Sequence, residues 1–109
     1  MKIFDSNDKN FVNSYYCFSF TLLGKLKSKR NEINKSLNKI GIGTSVYYPK
    51  PVPLMRYYKN KYKYKINDFP NACKFSYNSI FLPVGPHLNV EHMKIIVKEL
   101  IKILSLYEK

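Results

Sequence analysis

The sequence predicts an α+β domain, a small and mainly antiparallel sheet of about three strands with helices packed on one face. Three observations carry that expectation. Residues 14–23 alternate with the period-two rhythm of a half-buried strand. Residues 28–40 and 89–107 instead repeat their apolar positions every three or four residues, the period of a helix. Between them, Gly41 and the closely spaced Pro49, Pro51 and Pro53 punctuate the chain.

Residues 1–12 read as an irregular lead-in, polar with isolated Ile3, Phe4, Phe11 and Val12, and residues 13–109 as the domain proper. In the first strand Tyr16, Phe18, Phe20 and Leu22 share one face and form the expected core side, while Tyr15, Cys17, Ser19 and Thr21 share the other. Gly24 turns the chain, and Ser28 is a suitable N-cap for the helix that follows. Ile33, Leu37 and Ile40 make its apolar stripe; Arg30, Asn31, Asn34, Lys35 and Asn38 make a solvated face.

Gly41 falls at the left-handed C′ position that ends a helix, with Ile42 at C″ able to touch Leu37 at C3. A short strand over residues 44–48 then sends Tyr47 and Tyr48 to opposite faces, and the prolines end it in a stiff loop. Leu54 to Tyr58 offers one helical turn. Residues 59–65 interleave lysine with tyrosine, the pattern that pairs phosphates and stacks bases of single-stranded nucleic acid. Asp68 caps a short helix with Pro70 in its first turn and Phe69, Ala72, Cys73 and Tyr77 inside. Ser79–Leu82 is a short buried strand; Asn89 caps the last helix, whose stripe runs through Met93, Ile96, Val97, Leu100, Ile103, Leu104 and Tyr107.

Composition bounds the function. With 109 residues, 45% of them hydrophobic, the chain is one globular domain. No apolar run reaches the roughly 18 residues of a membrane span, and the first residues are not a signal peptide, so a cytoplasmic protein is expected. Cys17 and Cys73 then read as buried reduced thiols. His87 and His92 lack metal-ligand spacing and read as surface residues, and no phosphate loop or nucleophile motif is present. The net charge of +12 suits a polyanion, but the lysines are scattered and the same bias raises Asn, Ile and Tyr.

Four segments in order carry a resemblance. They are Gly41-Ile42-Gly43-Thr44-Ser45-Val46-Tyr47-Tyr48-Pro49-Lys50-Pro51, Asp68-Phe69-Pro70-Asn71-Ala72, the run from Ser79 through Leu82-Pro83 and Pro86 to Leu88, and residues 30–37 as an Arg-x-Glu-Leu-type helix. Together they resemble the small C-terminal domain of the DegT-type sugar aminotransferases, over roughly residues 13–104. That resemblance supplies the strand order and implies an enzyme that uses pyridoxal phosphate to aminate a nucleotide-linked keto-sugar. It implies Tyr47 and Tyr48 as substrate-facing residues, although a half-buried edge aromatic is an equal reading of Tyr47. Where the family often has a histidine after the second proline, Val52 and Pro53 bring no side-chain hydrogen bond to a sugar.

The family's large domain supplies the cofactor lysine and phosphate cup, for which this chain has no matching residues. The expected partners are therefore that missing large domain or a second copy of the enzyme, and the isolated chain is expected to be inactive. The alternative is a stand-alone basic module that holds nucleic acid or another polyanion through residues 59–65.

Overall fold

The alternation of Phe18, Phe20 and Leu22 sets the sheet. In the computed structural model, which describes residues 1–3 and 8–109, β1 (Lys2–Ile3), β2 (Phe18–Thr21) and β3 (Ser79–Leu82) form an antiparallel sheet in that order. Phe18 stands opposite Leu82 and Phe20 opposite Ile80, so four apolar side chains share one face. The paired hydroxyls of Thr21 and Ser79, 3.0 Å apart and buried, satisfy each other at the end of the ladder.

On that face lie α1 (Arg30–Lys39) and α4 (Val90–Glu108), as the sequence predicts for its two long helices. Phe20, Leu22, Ile33, Leu37, Ile42 and Ile80 join Ile96, Leu100, Ile103 and Leu104 in one core cluster. Leu26 completes it from a 3₁₀ turn at Gly24–Lys29, a core residue that no periodicity in the sequence marks. Tyr107 packs on the edge of this cluster, and its hydroxyl meets that of Ser36 at 3.0 Å, tying α4 to α1. Two shorter helices, α2 (Arg56–Tyr62) and α3 (Pro70–Asn78), fill the chain between the proline loop and β3.

Several boundaries differ from the sequence expectation, each for a local reason. β2 is shorter than residues 14–23, because the Asn13 side chain accepts from Tyr15 N in an Asx turn and Tyr15 takes a φ of 50°. Tyr16 consequently leaves the core face and is 90% exposed, and Cys17 is exposed as well, so only Cys73 is a buried thiol. The lead-in is not wholly irregular. Lys2–Ile3 pairs with β2, a stretch of two residues too short to carry a side-chain pattern; Phe4 lies outside the described residues.

The strand expected over residues 44–48 contracts to a single bridge between Ser45 and Phe81. Ser28 does not cap α1; its Oγ donates to the Lys25 carbonyl inside the 3₁₀ turn. Ile40, past the last turn, is half exposed. Asp68 caps the 3₁₀ turn Ile66–Asp68 by accepting from Lys65 N at 2.7 Å, and α3 begins only at Pro70. Buried on α3 are Cys73 and Ser76, whereas Ala72 is exposed. The solvated face expected on α1 is interrupted by Arg30, whose guanidinium donates to the Ser76 carbonyl. Met93 and Val97 stand at the exposed rim of the α4 stripe. Among the described residues, no helix is long and apolar enough to cross a membrane.

Candidate functional site

A helix cap aims the chain at the site. Gly41 takes a φ of 86°, Ile42 N donates to the Leu37 carbonyl and Gly41 N to the Asn38 carbonyl, each at 3.0 Å. Those are the paired bonds of a Schellman motif, and burial of both Leu37 and Ile42 supplies its apolar contact. Past the cap, side chains of α1 take over. The Asn38 amide accepts from Thr44 N at 3.3 Å and donates to Thr44 Oγ1 at 2.7 Å, while Thr44 Oγ1 donates to Asn34 Oδ1. Asn34 and Asn38, which sequence reasoning assigns to a solvated face, thus fix the chain's exit from the cap.

Ser45 then exchanges two backbone hydrogen bonds with Phe81, of 3.1 and 2.9 Å, and anchors the segment to β3. Tyr47 rests edge-on against Phe81, ring centroids 5.2 Å apart, and Phe75 of α3 meets the same ring at 6.2 Å. Phe81 alternates with Ile80 and Leu82, so this aromatic group covers the sheet face opposite the main core. Tyr48 meets Tyr47 edge-on at 6.2 Å, so the two rings lie together and not on opposite faces as strand alternation would place them.

Tyr47 and Tyr48 are 53% and 60% exposed, enough for their rings and hydroxyls to reach a ligand. Tyr47 stands between two clefts. One, near Tyr16, Gly43 and Pro83, is about 220 Å³; the other, about 390 Å³, runs along Tyr48, Lys50, Pro51 and Pro53 to Phe75 of α3. A phenol both donates and accepts a hydrogen bond, and its ring offers an apolar face, a combination suited to a polyhydroxylated ring. Tyr47 is thus a partly exposed aromatic that leans on the sheet and still fronts open clefts.

The interleaved lysine and tyrosine stretch begins within a helix. Residues 56–62 are helical, so Tyr58 and Tyr62 lie one turn apart and stack at 6.4 Å. Tyr62 stacks on Tyr64 at 5.4 Å, and Tyr64 meets Phe69 at 5.0 Å. These rings pack on one another, and Lys61 sits over Tyr57 and Tyr62. The histidines serve local structure. His92 Nδ1 accepts from Asn89 N at 3.2 Å while Asn89 Oδ1 accepts from His92 N at 2.9 Å, a capping box at the start of α4. The His87 ring lies so close to Gly85 that a Cβ there would fall 2.6 Å from it.

The chain's own residues do not fit pyridoxal phosphate. A lysine that carries it must sit in a desolvated pocket, and every lysine here is exposed. Among the described residues, no carboxylate lines either cleft beside Tyr47 to face a pyridine nitrogen. These side chains build an open, partly aromatic surface.

Comparison with known proteins accords with this geometry. The model of the DegT/DnrJ/EryC1/StrS aminotransferase family matches residues 2–101. An uncharacterized protein of Methanocaldococcus jannaschii is 34% identical over 83 residues, which cover 76% of this chain and 21% of that protein. Among solved structures, Spr1654 of Streptococcus pneumoniae, assigned as a sugar aminotransferase and seen in its PMP form, superposes with a TM-score of 0.70 at 31% identity. It covers 80% of this chain and 21% of its own length is matched. Helicobacter pylori PseC, an aminotransferase of pseudoaminic acid biosynthesis, gives a TM-score of 0.73 at 25% identity, covering 84% of this chain and 23% of its own. The chain therefore spans about a fifth of the length of these relatives. The 100-residue match (2 through 101) and the shared fold lead to one conclusion: the chain belongs to the DegT/DnrJ/EryC1/StrS aminotransferase family.

Proposed function

We propose that this chain acts as the small C-terminal domain of a pyridoxal-phosphate-dependent aminotransferase whose substrate is a nucleotide-linked keto-sugar. Its task is to close over the reacting sugar and present the loop of Tyr47 and Tyr48 to it. The observation that carries this reading is the exposed tyrosine pair, braced on Phe81 and fronting open clefts, in a chain of a sugar-aminotransferase-like fold. On this reading the cofactor lysine comes from the family's larger domain, and the partners are that domain or a second copy of the enzyme. The enzyme, on this reading, works on a nucleotide sugar in the cytoplasm, in building cell-surface polysaccharide.

The division of labour sets the expected behaviour of the chain alone. Mixed with pyridoxal phosphate, an amino donor and a nucleotide-linked keto-sugar, it should form no amino sugar. Titrated with that keto-sugar and followed by NMR, it should shift resonances of Tyr47, Tyr48 and their loop. Turnover by the 109 residues, or shifts confined to other surfaces, would overturn the assignment.

A further inference from the structure

We propose a second binding site on this chain, a diphosphate-binding cleft built by Lys50, Lys59 and Lys65. The cleft has a volume of about 360 Å³, within the usual range for small-ligand pockets. Its three lysines come from three segments: the proline loop, α2, and the turn before the 3₁₀ helix at Ile66–Asp68. Tyr64, Tyr77 and Asn67 line it with neutral hydrogen-bonding groups, over a floor that includes buried Leu54.

The electrostatics give the ligand its sign. Among the described residues the ion pairs are Lys29 with Glu32, Lys94 with Glu91 and Lys102 with Glu99, all on or beside α1 and α4. None involves the three cleft lysines. The carboxylate nearest in sequence, Asp68, uses Oδ2 to cap Lys65 N. Three lysines lining one recess bring like charges to the same place, and an anion that pairs with them offsets their repulsion. Lysine binds phosphate as a point charge and tolerates variable geometry, which suits a diphosphate with several terminal and bridging oxygens. Tyr64 in the lining is stacked on Tyr62, so that ring is already engaged within the chain.

Lys50 also lines the cleft beside Tyr47 and Tyr48, so the two recesses adjoin at that residue. A diphosphate held by the lysines would leave its attached sugar within reach of the tyrosine pair. This last step rests on the function proposed above; the anion site itself does not.

The test is titration of the chain with inorganic pyrophosphate at low ionic strength, with inorganic phosphate as comparison. Saturable binding at one site, tighter for pyrophosphate and weakened by salt, is expected. A triple variant Lys50→Gln, Lys59→Gln and Lys65→Gln should lose affinity by about tenfold or more, since three charge-assisted contacts vanish. A second triple variant, Lys94→Gln, Lys98→Gln and Lys102→Gln, removes the same charge from α4 and should retain binding within about twofold, because distant surface charges are largely screened. Equal losses in both variants would reduce the site to bulk charge and overturn the proposal. So would a single-stranded oligonucleotide that outcompetes pyrophosphate through the same lysines. If pyrophosphate binds but a nucleotide-linked sugar does not perturb the tyrosines, the cleft stands and the substrate assignment falls; the reverse pattern removes the cleft alone.

Discussion

Residues 37–42 and residues 45–53 are neighbours in one stretch of chain, yet the first is held by its own backbone and the second by contacts from elsewhere. In the cap, Gly41 supplies a positive φ and the Ile42 and Gly41 amides satisfy carbonyls of the preceding turn. Everything needed lies within six residues. In the loop, Ser45 depends on Phe81, Tyr47 depends on the Phe81 ring, and Thr44 depends on two asparagine amides of α1. A structure closed within one turn is written locally. One completed by remote partners is rigid only if the whole domain forms, which is how a loop can be both exposed and positioned.

The sharpest way to break the comparison is to damage the cap's anchor. Leu37 is fully buried in the main cluster, so Leu37→Ala should cost roughly 2–5 kcal/mol, measured as a shift in the denaturant midpoint. Next comes the backbone itself. A Cβ at Gly41 meets nothing within 4 Å, so Gly41→Val should cost on the order of 1–2 kcal/mol from its left-handed conformation alone. Gly43, with equally open surroundings and no positive φ, is the control. Gly43→Ala should stay within about 0.5 kcal/mol of the parent. If the two glycine variants lost the same stability, the cap would not be what distinguishes these halves.

A smaller effect is expected where the halves join. Asn38→Ala removes the amide that grips Thr44, worth about 0.5–1.5 kcal/mol per hydrogen bond before compensation. Alanine's better helix propensity returns up to about 0.7 kcal/mol. Both bonds are exposed to water and belong at the low end, about 0.5 kcal/mol each, so the net loss should be about 0.3–1 kcal/mol, at or below that of Gly41→Val. Hydrogen exchange is the more telling measurement. The amides of Thr44 and Ser45 should exchange faster while those of Gly41 and Ile42 stay protected. Faster exchange in all four would mean that the asparagine supports the cap as well as the exit.

This contrast also explains what the sequence could reveal. The Gly41 cap, the Asn89 cap and β3 at Ser79–Leu82 were legible because each has a short-range signature in residue type and spacing. The core face of Phe20 and Leu22 followed from alternation, but the same rule misplaces Tyr16, since the Asx turn at Asn13 ends the extended run first. β1 was invisible because two residues are too few to carry a pattern. Tyr47 and Tyr48 enter as site candidates only through resemblance to a family. The lysine cleft was not legible, because positions 50, 59 and 65 converge only when α2 and the proline loop fold together. Helix formation over residues 56–62 also turned an alternating lysine and tyrosine pattern into stacked rings one turn apart.

The smallest expected effect on stability belongs to Tyr47→Phe, and its smallness is the point. Tyr47 packs through its ring, which phenylalanine keeps in full against Phe81. It is 53% exposed, so water can replace any partner its hydroxyl lacks, and removing one oxygen should change stability by less than about 0.5 kcal/mol. If the hydroxyl contacts a sugar, the variant should bind a nucleotide-linked sugar less well while its denaturant midpoint stays put. Tyr47→Ala would confuse the two effects by also removing the ring that braces the loop. A midpoint for Tyr47→Phe shifted as far as that of Gly41→Val would make Tyr47 a structural hydrogen-bonding residue. The division between a locally closed cap and a remotely braced, ligand-facing loop would then have to be redrawn at this residue.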